Sequence, residues 1–260
     1  MKIIKAKYEI VKPNIEDKEV VRKIYRDLER IGRVCYLSEN QITDQSSEAF
    51  IQRLIHNQHT AMLEHDHMTV MFTVDRGISH ELVRHRIASF AQESTRYCNY
   101  SKGKFGSEIT VIEPVFFNDI SEQTKATVRE VMDGEPIGRS EMFEEGITSN
   151  IQQYANWYHA CRKAEKIYFR MLENGATPEQ ARDVLPTSLK TNIVITTNFR
   201  EWRHIFNLRA AGITGKPHPQ MKEVMVPLLM ECASKMPVLF GDIAELCEEE
   251  KKDGSREQTN

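Results

Sequence analysis

Residues 68–74 read Met-Thr-Val-Met-Phe-Thr-Val, and the fold is decided on them. Apolar side chains stand at 68, 70, 72 and 74 with Thr69 and Thr73 between them, the period-two pattern of a strand. Gly77 is expected to break that strand, and Ser79 to cap a short helix that ends in Arg84, His85 and Arg86.

Working outward, residues 2–11 alternate loosely and carry β-branched side chains, which predicts a first strand. Over 17–37, Val20, Val21, Ile24, Tyr25, Leu28, Ile31 and Val34 recur at helical spacing. A second helix starts at Ser46 or Ser47 and turns Phe50, Ile51, Leu54 and Ile55 inward. Residues 89–100 are polar and read as a turn-like stretch. A strand over 108–113 stops at Pro114, and 118–147 reads as a helix plus an exposed excursion around 133–136. A long helix over 148–174 places Trp157, Cys161, Ala164, Tyr168 and Met171 on one side, with Gly175 as its C′ residue. Thr177-Pro178-Glu179-Gln180 has the cap, proline and glutamine of a helix start, and Pro186 stops that helix. Residues 192–197 predict a strand, and Asn198 caps a helix through Ala211. The last helix covers 219–247 with a kink at Pro227, and 248–260 read as a charged, disordered tail. About four strands thus stand among six or so helices without βαβ alternation. That order predicts an α+β fold, a mainly antiparallel four-stranded sheet packed with long helices, in a single domain over 1–247.

The chain has 260 residues, 28% charged and 40% hydrophobic, with a formal net charge of −3. It is too apolar for a disordered chain, and it lacks the global basic field of a nucleic-acid binder. No apolar run approaches the ~20 residues that span a bilayer, and the first residues do not resemble a signal peptide. Five cysteines, odd in number and without a CxxC pair, read as reduced thiols in a cytoplasmic protein.

Three polar clusters could bear chemistry. The densest is Glu81, Arg84, His85, Arg86, Ser89, Gln92, Glu93, Ser94, Thr95 and Arg96. Guanidinium groups there are bidentate donors to phosphate or to a planar anionic ring, although the same spacing suits a solvated basic turn paired with Glu81 and Glu93. The second is His56, His59, Glu64, His65, Asp66 and His67, which suits either a divalent metal or a polar loop with capping histidines. The third is a helical face bearing Asn198, Arg200, His204 and Asn207, preceded by Arg182, with Arg209 about a turn beyond His204 and pointing elsewhere. Cys98 is the one thiol near a cluster, and it lacks the partners of a nucleophile. No GxGxxG or GxxxxGK[ST] is present.

The run Arg84-His85-Arg86-x-x-Ser89-x4-Ser94-x-Arg96 resembles the signature of flavin-dependent thymidylate synthases. The resemblance covers most of the chain: HxxxxEH at His59–His65, Arg182-x-x-Leu185-Pro186, Asn198-x-Arg200-x3-His204-x2-Asn207-Leu-Arg209, and HxQ at His218–Gln220. It implies an α+β homotetramer whose active sites are shared between subunits. It also implies FAD as cofactor, NADPH as reductant and 5,10-methylenetetrahydrofolate as carbon donor for turning dUMP into dTMP. His59, Arg84, His85, Arg86, Gln92, Asn198, Arg200 and His204 match flavin contacts. Glu81, Arg84, Gln92, Glu93, Ser94, Thr95, Arg96 and Arg182 match the dUMP site, with Ser94 and Arg96 at its phosphate and Arg84 reaching a neighbouring subunit's site. Arg209 matches the arginine at the uracil edge, where a fixed cation activates the ring without a covalent nucleophile. No metal is implied.

Three positions depart from the family's habit: Ala91 for Asn, Glu81 for Gln, and Ala61 for Ser or Thr. Glu81 beside a phosphate is repulsive unless an arginine pairs with it. Two other readings stand beside this one: a metal-dependent nucleotide phosphohydrolase resting on His65-Asp66, and a non-catalytic nucleotide-binding protein.

Overall fold

The computed structural model describes residues 1–103, 106–134 and 149–257. The strands are β1 (Lys2–Ile4), β2 (Lys7–Lys12), β3 (His67–Asp75), β4 (Ser89–Gln92), β5 (Thr110–Ile112) and β6 (Lys190–Asn198). The helices are α1 (Lys18–Val34), α2 (Ser46–His56), α3 (Arg76–Leu82), α4 (Glu122–Gly134), α5 (Ser149–Glu173), α6 (Pro178–Ala181), α7 (Phe199–Phe206), α8 (Pro219–Lys235) and α9 (Pro237–Glu257). The α+β class is as expected, with a four-stranded antiparallel sheet in the order β2-β3-β6-β4.

Membership of that sheet differs from the expectation. The first strand is two: β2 joins the sheet, while β1 pairs in parallel with β5, Ile3 opposite Val111. The fourth sheet strand is β4, drawn from the stretch expected to be turn-like. Its burial alternates between exposed and half-buried, so edge pairing with β6 rather than a hydrophobic pattern makes it a strand. The β3 strand is buried on both faces. Its two threonines are tolerated there because each hydroxyl is satisfied on β6: Thr69 with Thr196 at 2.9 Å and Thr73 with Asn192 at 3.0 Å.

Gly77 does not end β3. It lies inside α3, which Asp75 caps by accepting from the Ile78 N–H at 2.8 Å. A Cβ at Gly77 would lie 3.0 Å from Asp75 Oδ1 and 3.2 Å from Thr187 Cγ2, so the glycine allows a close approach. The expected last helix is also two. Met236, at φ −129° and ψ 59°, separates α8 from α9 because Pro237 disfavours helical geometry in the residue before it. Pro227 sits inside α8. The expected disordered tail is a continuation of α9 to Glu257, and 258–260 lie outside the described residues. So do 135 and 136 of the expected excursion, whereas Asp133 and Gly134 end α4.

By its internal contacts the chain forms two compact units, interleaved in sequence. The first is Met1–Ala6, Thr73–His80 and Gln92–Asn192. Its core joins Tyr100, Ile109, Val111, Cys161, Tyr168, Ala181 and Leu189. The second is Lys7–Phe72, Glu81–Ala91 and Ile193–Asn260. Its core is aromatic: Trp202 is fully buried, donates from Nε1 to the Met68 carbonyl at 2.9 Å, and packs on Phe72 and Phe206. Among the described residues no helix is long and apolar enough to cross a membrane.

Candidate active site

In the second unit, β6 delivers Asn198 to the start of α7. Asn198 Oδ1 accepts the Glu201 N–H at 2.8 Å, which caps the helix and fixes its first turn. Arg200 then pairs with Glu64, and a cavity of about 360 Å³ opens among Glu64, Ile87, Asn198, Arg200, Glu201 and His204. After Phe206 the helix widens into a π turn over Asn207–Ala211, which Gly212 ends at φ 77°. Such turns are rare and gather at functional sites. Its consequence here corrects the sequence expectation, because Arg209 and His204 both reach His85. The Arg209 Nε–H donates to His85 Nε2 at 3.1 Å, and the His204 and His85 rings lie 6.1 Å apart.

His85 is 5% exposed, between the exposed side chains of Arg84 and Arg86. Burial first, then the charge of Arg209 and His204, depresses its pKa to about 4. The ring is therefore neutral near neutrality, and since Nε2 accepts from Arg209 its proton is on Nδ1. Nδ1 faces Glu201 Oε1 at 3.6 Å, and burial holds the Glu201 carboxyl above the usual carboxylate range. On its other side Arg209 donates from Nη1 to Glu81 Oε2 at 2.9 Å. Glu81 thus has its arginine, and Arg209 keeps N–H groups on both terminal nitrogens for a further acceptor.

The first unit holds the rest of the 92–96 run. Gln92 donates to Ser79 Oγ at 2.9 Å. Glu93 is neutralised by Lys190 at 2.7 Å and accepts from the Tyr100 hydroxyl at 3.1 Å. Thr95 is buried, and the Ser94 carbonyl accepts the Tyr97 and Cys98 N–H groups, closing a tight turn. Arg96 pairs with Glu179 at 2.9 Å on α6, three residues before Arg182, which lies 4.0 Å from Asp183. Arg96, Glu179 and Asp183 are exposed and Arg182 is half-buried, so these pairs are weak and open to exchange for an anion.

Some expected residues stand apart. His59 accepts from or donates to the Tyr36 hydroxyl at 2.9 Å and lines a different cavity, with Arg33, Phe50 and Arg53. Asp66 caps the His67 N–H, and the histidines around it form no metal-capable group among the described residues. The group that does bring three ligand atoms within 4.8 Å is His85, Glu201 and His204. There the Arg209 guanidinium already occupies His85 Nε2, which disfavours a cation. Sequence reasoning missed Glu201, whose one signal is its place three residues after the Asn198 cap, and missed Tyr100 and Lys190, which hold Glu93.

The donor set suits a flavin. Arg84 and Arg86 are exposed and make no ion pair with the described residues, and Asn198, Arg200 and His204 border a cavity with both donors and acceptors. Comparison with known proteins agrees. A family model described as thymidylate synthase complementing protein matches residues 20–238. The flavin-dependent thymidylate synthase of Corynebacterium aurimucosum is 28% identical over 218 residues, 83% of this chain and 78% of that one. That of Pyrococcus furiosus is 27% identical over 201 residues, 76% and 67% of the two chains. In fold, the chain is similar to the UMP/dUMP methylase PolB from Streptomyces cacaoi bound with 5-Br dUMP. The TM-score is 0.67 at 22% identity, over 93% of this chain and 96% of that one. The family match spans most of the chain and includes every element of the Arg209 cluster, so the chain belongs to the thymidylate synthase complementing protein family, with flavin-dependent thymidylate synthases among its relatives.

Proposed function

We propose that the protein converts dUMP to dTMP in the cytoplasm, taking the methylene carbon of 5,10-methylenetetrahydrofolate and releasing tetrahydrofolate. NADPH is the reductant, FAD the resident cofactor, and the working form a homotetramer that shares active sites between subunits. The observation that carries this reading is Arg209, a guanidinium held by a neutral histidine and a carboxylate with N–H groups to spare.

At the uracil edge such a fixed cation stabilises the negative charge that develops on the ring as C5 attacks the methylene carbon. Because it is oriented before substrate arrives, its stabilisation costs little reorganisation. No thiol is then needed to activate the ring. Burial pushes the Cys161 thiol up to about 12 and raises that of Cys232 as well, so neither supplies a thiolate. Ser94, Arg96 and Arg182 are assigned to the nucleotide phosphate, where Arg96 leaves Glu179 for the stronger anion. Gln92, Glu93 and Thr95 set the shape of that loop. Arg84, His85 and Arg86, with Asn198, Arg200 and His204, are assigned to the flavin side, with His85 acting from behind Arg209. A bound flavin supplies the hydride that completes the methyl group.

The test is Arg209→Ala. It is expected to keep its flavin and lose about 10²–10³ in turnover, the usual loss for one oriented electrostatic donor. Normal dTMP formation by that variant would remove Arg209 from the mechanism.

A further inference from the structure

We propose that Glu201 and His85 are positioning residues that aim Arg209, a role resting on the reading of Arg209 as the cation at the pyrimidine. Two hydrogen bonds and one electrostatic contact form a chain. Asn198 Oδ1 fixes the backbone of Glu201 at 2.8 Å, Glu201 Oε1 faces His85 Nδ1 at 3.6 Å, and His85 Nε2 accepts the Arg209 Nε–H at 3.1 Å. The parts are buried: Asn198 is 8% exposed, Glu201 8% and His85 5%.

The logic is one of tautomers. Imidazole accepts at Nε2 only while its proton is on Nδ1, and a carboxyl oxygen at Nδ1 selects that form. The alternative tautomer, or an imidazolium, would turn an N–H toward a guanidinium that has no acceptor to offer. Glu201, 3.6 Å from Nδ1, therefore reinforces the tautomer that Arg209 needs, and steadies the ring from behind. Its helix position supports this. At the third residue of α7 a glutamate can turn back to the cap residue's N–H and complete a capping box, as Gln180 does at the start of α6. In α7 only the Asn198 half of such a box is made, and the Glu201 side chain goes to the histidine. The grip is two-sided, since Glu81 holds Arg209 at Nη1 while His85 holds it at Nε. With both, the guanidinium plane is held from two sides; with Glu81 alone it is held only at its terminal nitrogens, by the carboxylate at 2.9 Å and a long 3.4 Å contact to the Glu81 carbonyl.

The relay predicts a specific coupling. Glu201→Ala is expected to lower kcat about ten- to a hundredfold, the range seen when a residue behind a functional histidine is removed, with KM for the folate unchanged. Glu201→Gln still offers an oxygen to Nδ1 and is expected to restore turnover to near wild type. His85→Gln offers its own amide oxygen to Arg209 and has no tautomer to select. In that background Glu201→Ala is expected to cost nothing further, a non-additivity that a general packing defect would not produce. Glu201→Asp, one methylene short of the histidine, stands in should the alanine variant fail to fold. As a readout apart from turnover, ¹⁵N-histidine spectra are expected to show a smaller share of the Nδ1-protonated form of His85 in Glu201→Ala than in the wild type and in Glu201→Gln. The relay is overturned if Glu201→Ala is as fast as wild type while Arg209→Ala is inactive, or if its loss is the same in both His85 backgrounds. Normal turnover by Arg209→Ala would instead overturn the reading of Arg209, and the relay with it.

Discussion

A buried neutral histidine makes stability depend on pH in a calculable way. His85 has its pKa depressed to about 4 in the folded chain, against 6.5 when exposed. Between those values the unfolded chain binds a proton that the folded chain refuses, so stability is intact above about pH 6.5 and falls as pH drops toward 4. At 1.36 kcal/mol per pKa unit, the whole separation is worth about 3 kcal/mol, of which about 2 kcal/mol has gone by about pH 5. The groups facing the ring are Arg209, His204 and Glu201, and only Glu201 relaxes its burial penalty on acidification, which offsets part of the loss. The perturbation is His85→Gln, which keeps an acceptor toward Arg209 and cannot titrate. Urea unfolding of both proteins at one concentration and saturating flavin, from about pH 8 down to about pH 5, gives two stability curves. The two proteins differ at this one titrating side chain, so the wild-type curve should fall more steeply by about 2 kcal/mol. Parallel curves would refute the claim that His85 is held neutral by burial beside Arg209.

Two further outcomes concern the scaffold of the second unit. Trp202→Ala removes a fully buried ring and its hydrogen bond to the Met68 carbonyl, and it should cost about 3–5 kcal/mol in urea unfolding. Gly32→Ala places a Cβ 2.6 Å from Phe50 Cε1, where α1 meets α2, and should lower stability by about 1–3 kcal/mol, read as a drop in Tm.

The elements that bury an apolar stripe were legible in the sequence. In α1, Val21, Ile24, Tyr25 and Leu28 of the predicted stripe are buried, Val20 and Ile31 are half-buried and Val34 is exposed; β3 forms where the alternation of 68–74 predicts a strand, although both its faces are buried. Local chemistry at helix starts was legible as well: Thr177 and Gln180 form the reciprocal box, and Asn198 caps α7. What pairing decides was not legible. Ser89–Gln92 lacks a hydrophobic pattern because it is an edge, and β1 left β2 because its register is set by a partner more than a hundred residues away. The motif residues could be named in sequence, but their grouping could not. A helical wheel sends Arg209 away from His204, and only the π turn brings both to His85. Glu201 was invisible for a related reason, since a glutamate after an asparagine cap reads as helix chemistry until His85 is seen beside it.

If this chain methylates dUMP with a flavin as its redox group, reoxidation of the flavin and formation of the methyl group are coupled one to one. The most direct measurement is anaerobic: FAD-loaded protein is reduced with NADPH, then mixed with dUMP and 5,10-methylenetetrahydrofolate while the visible flavin absorbance is followed. The yellow band is expected to bleach, to return on mixing, and to leave dTMP and tetrahydrofolate in amounts matching the flavin reoxidised. A protein that takes up no flavin, or a band that returns without dTMP, would contradict the proposed reaction.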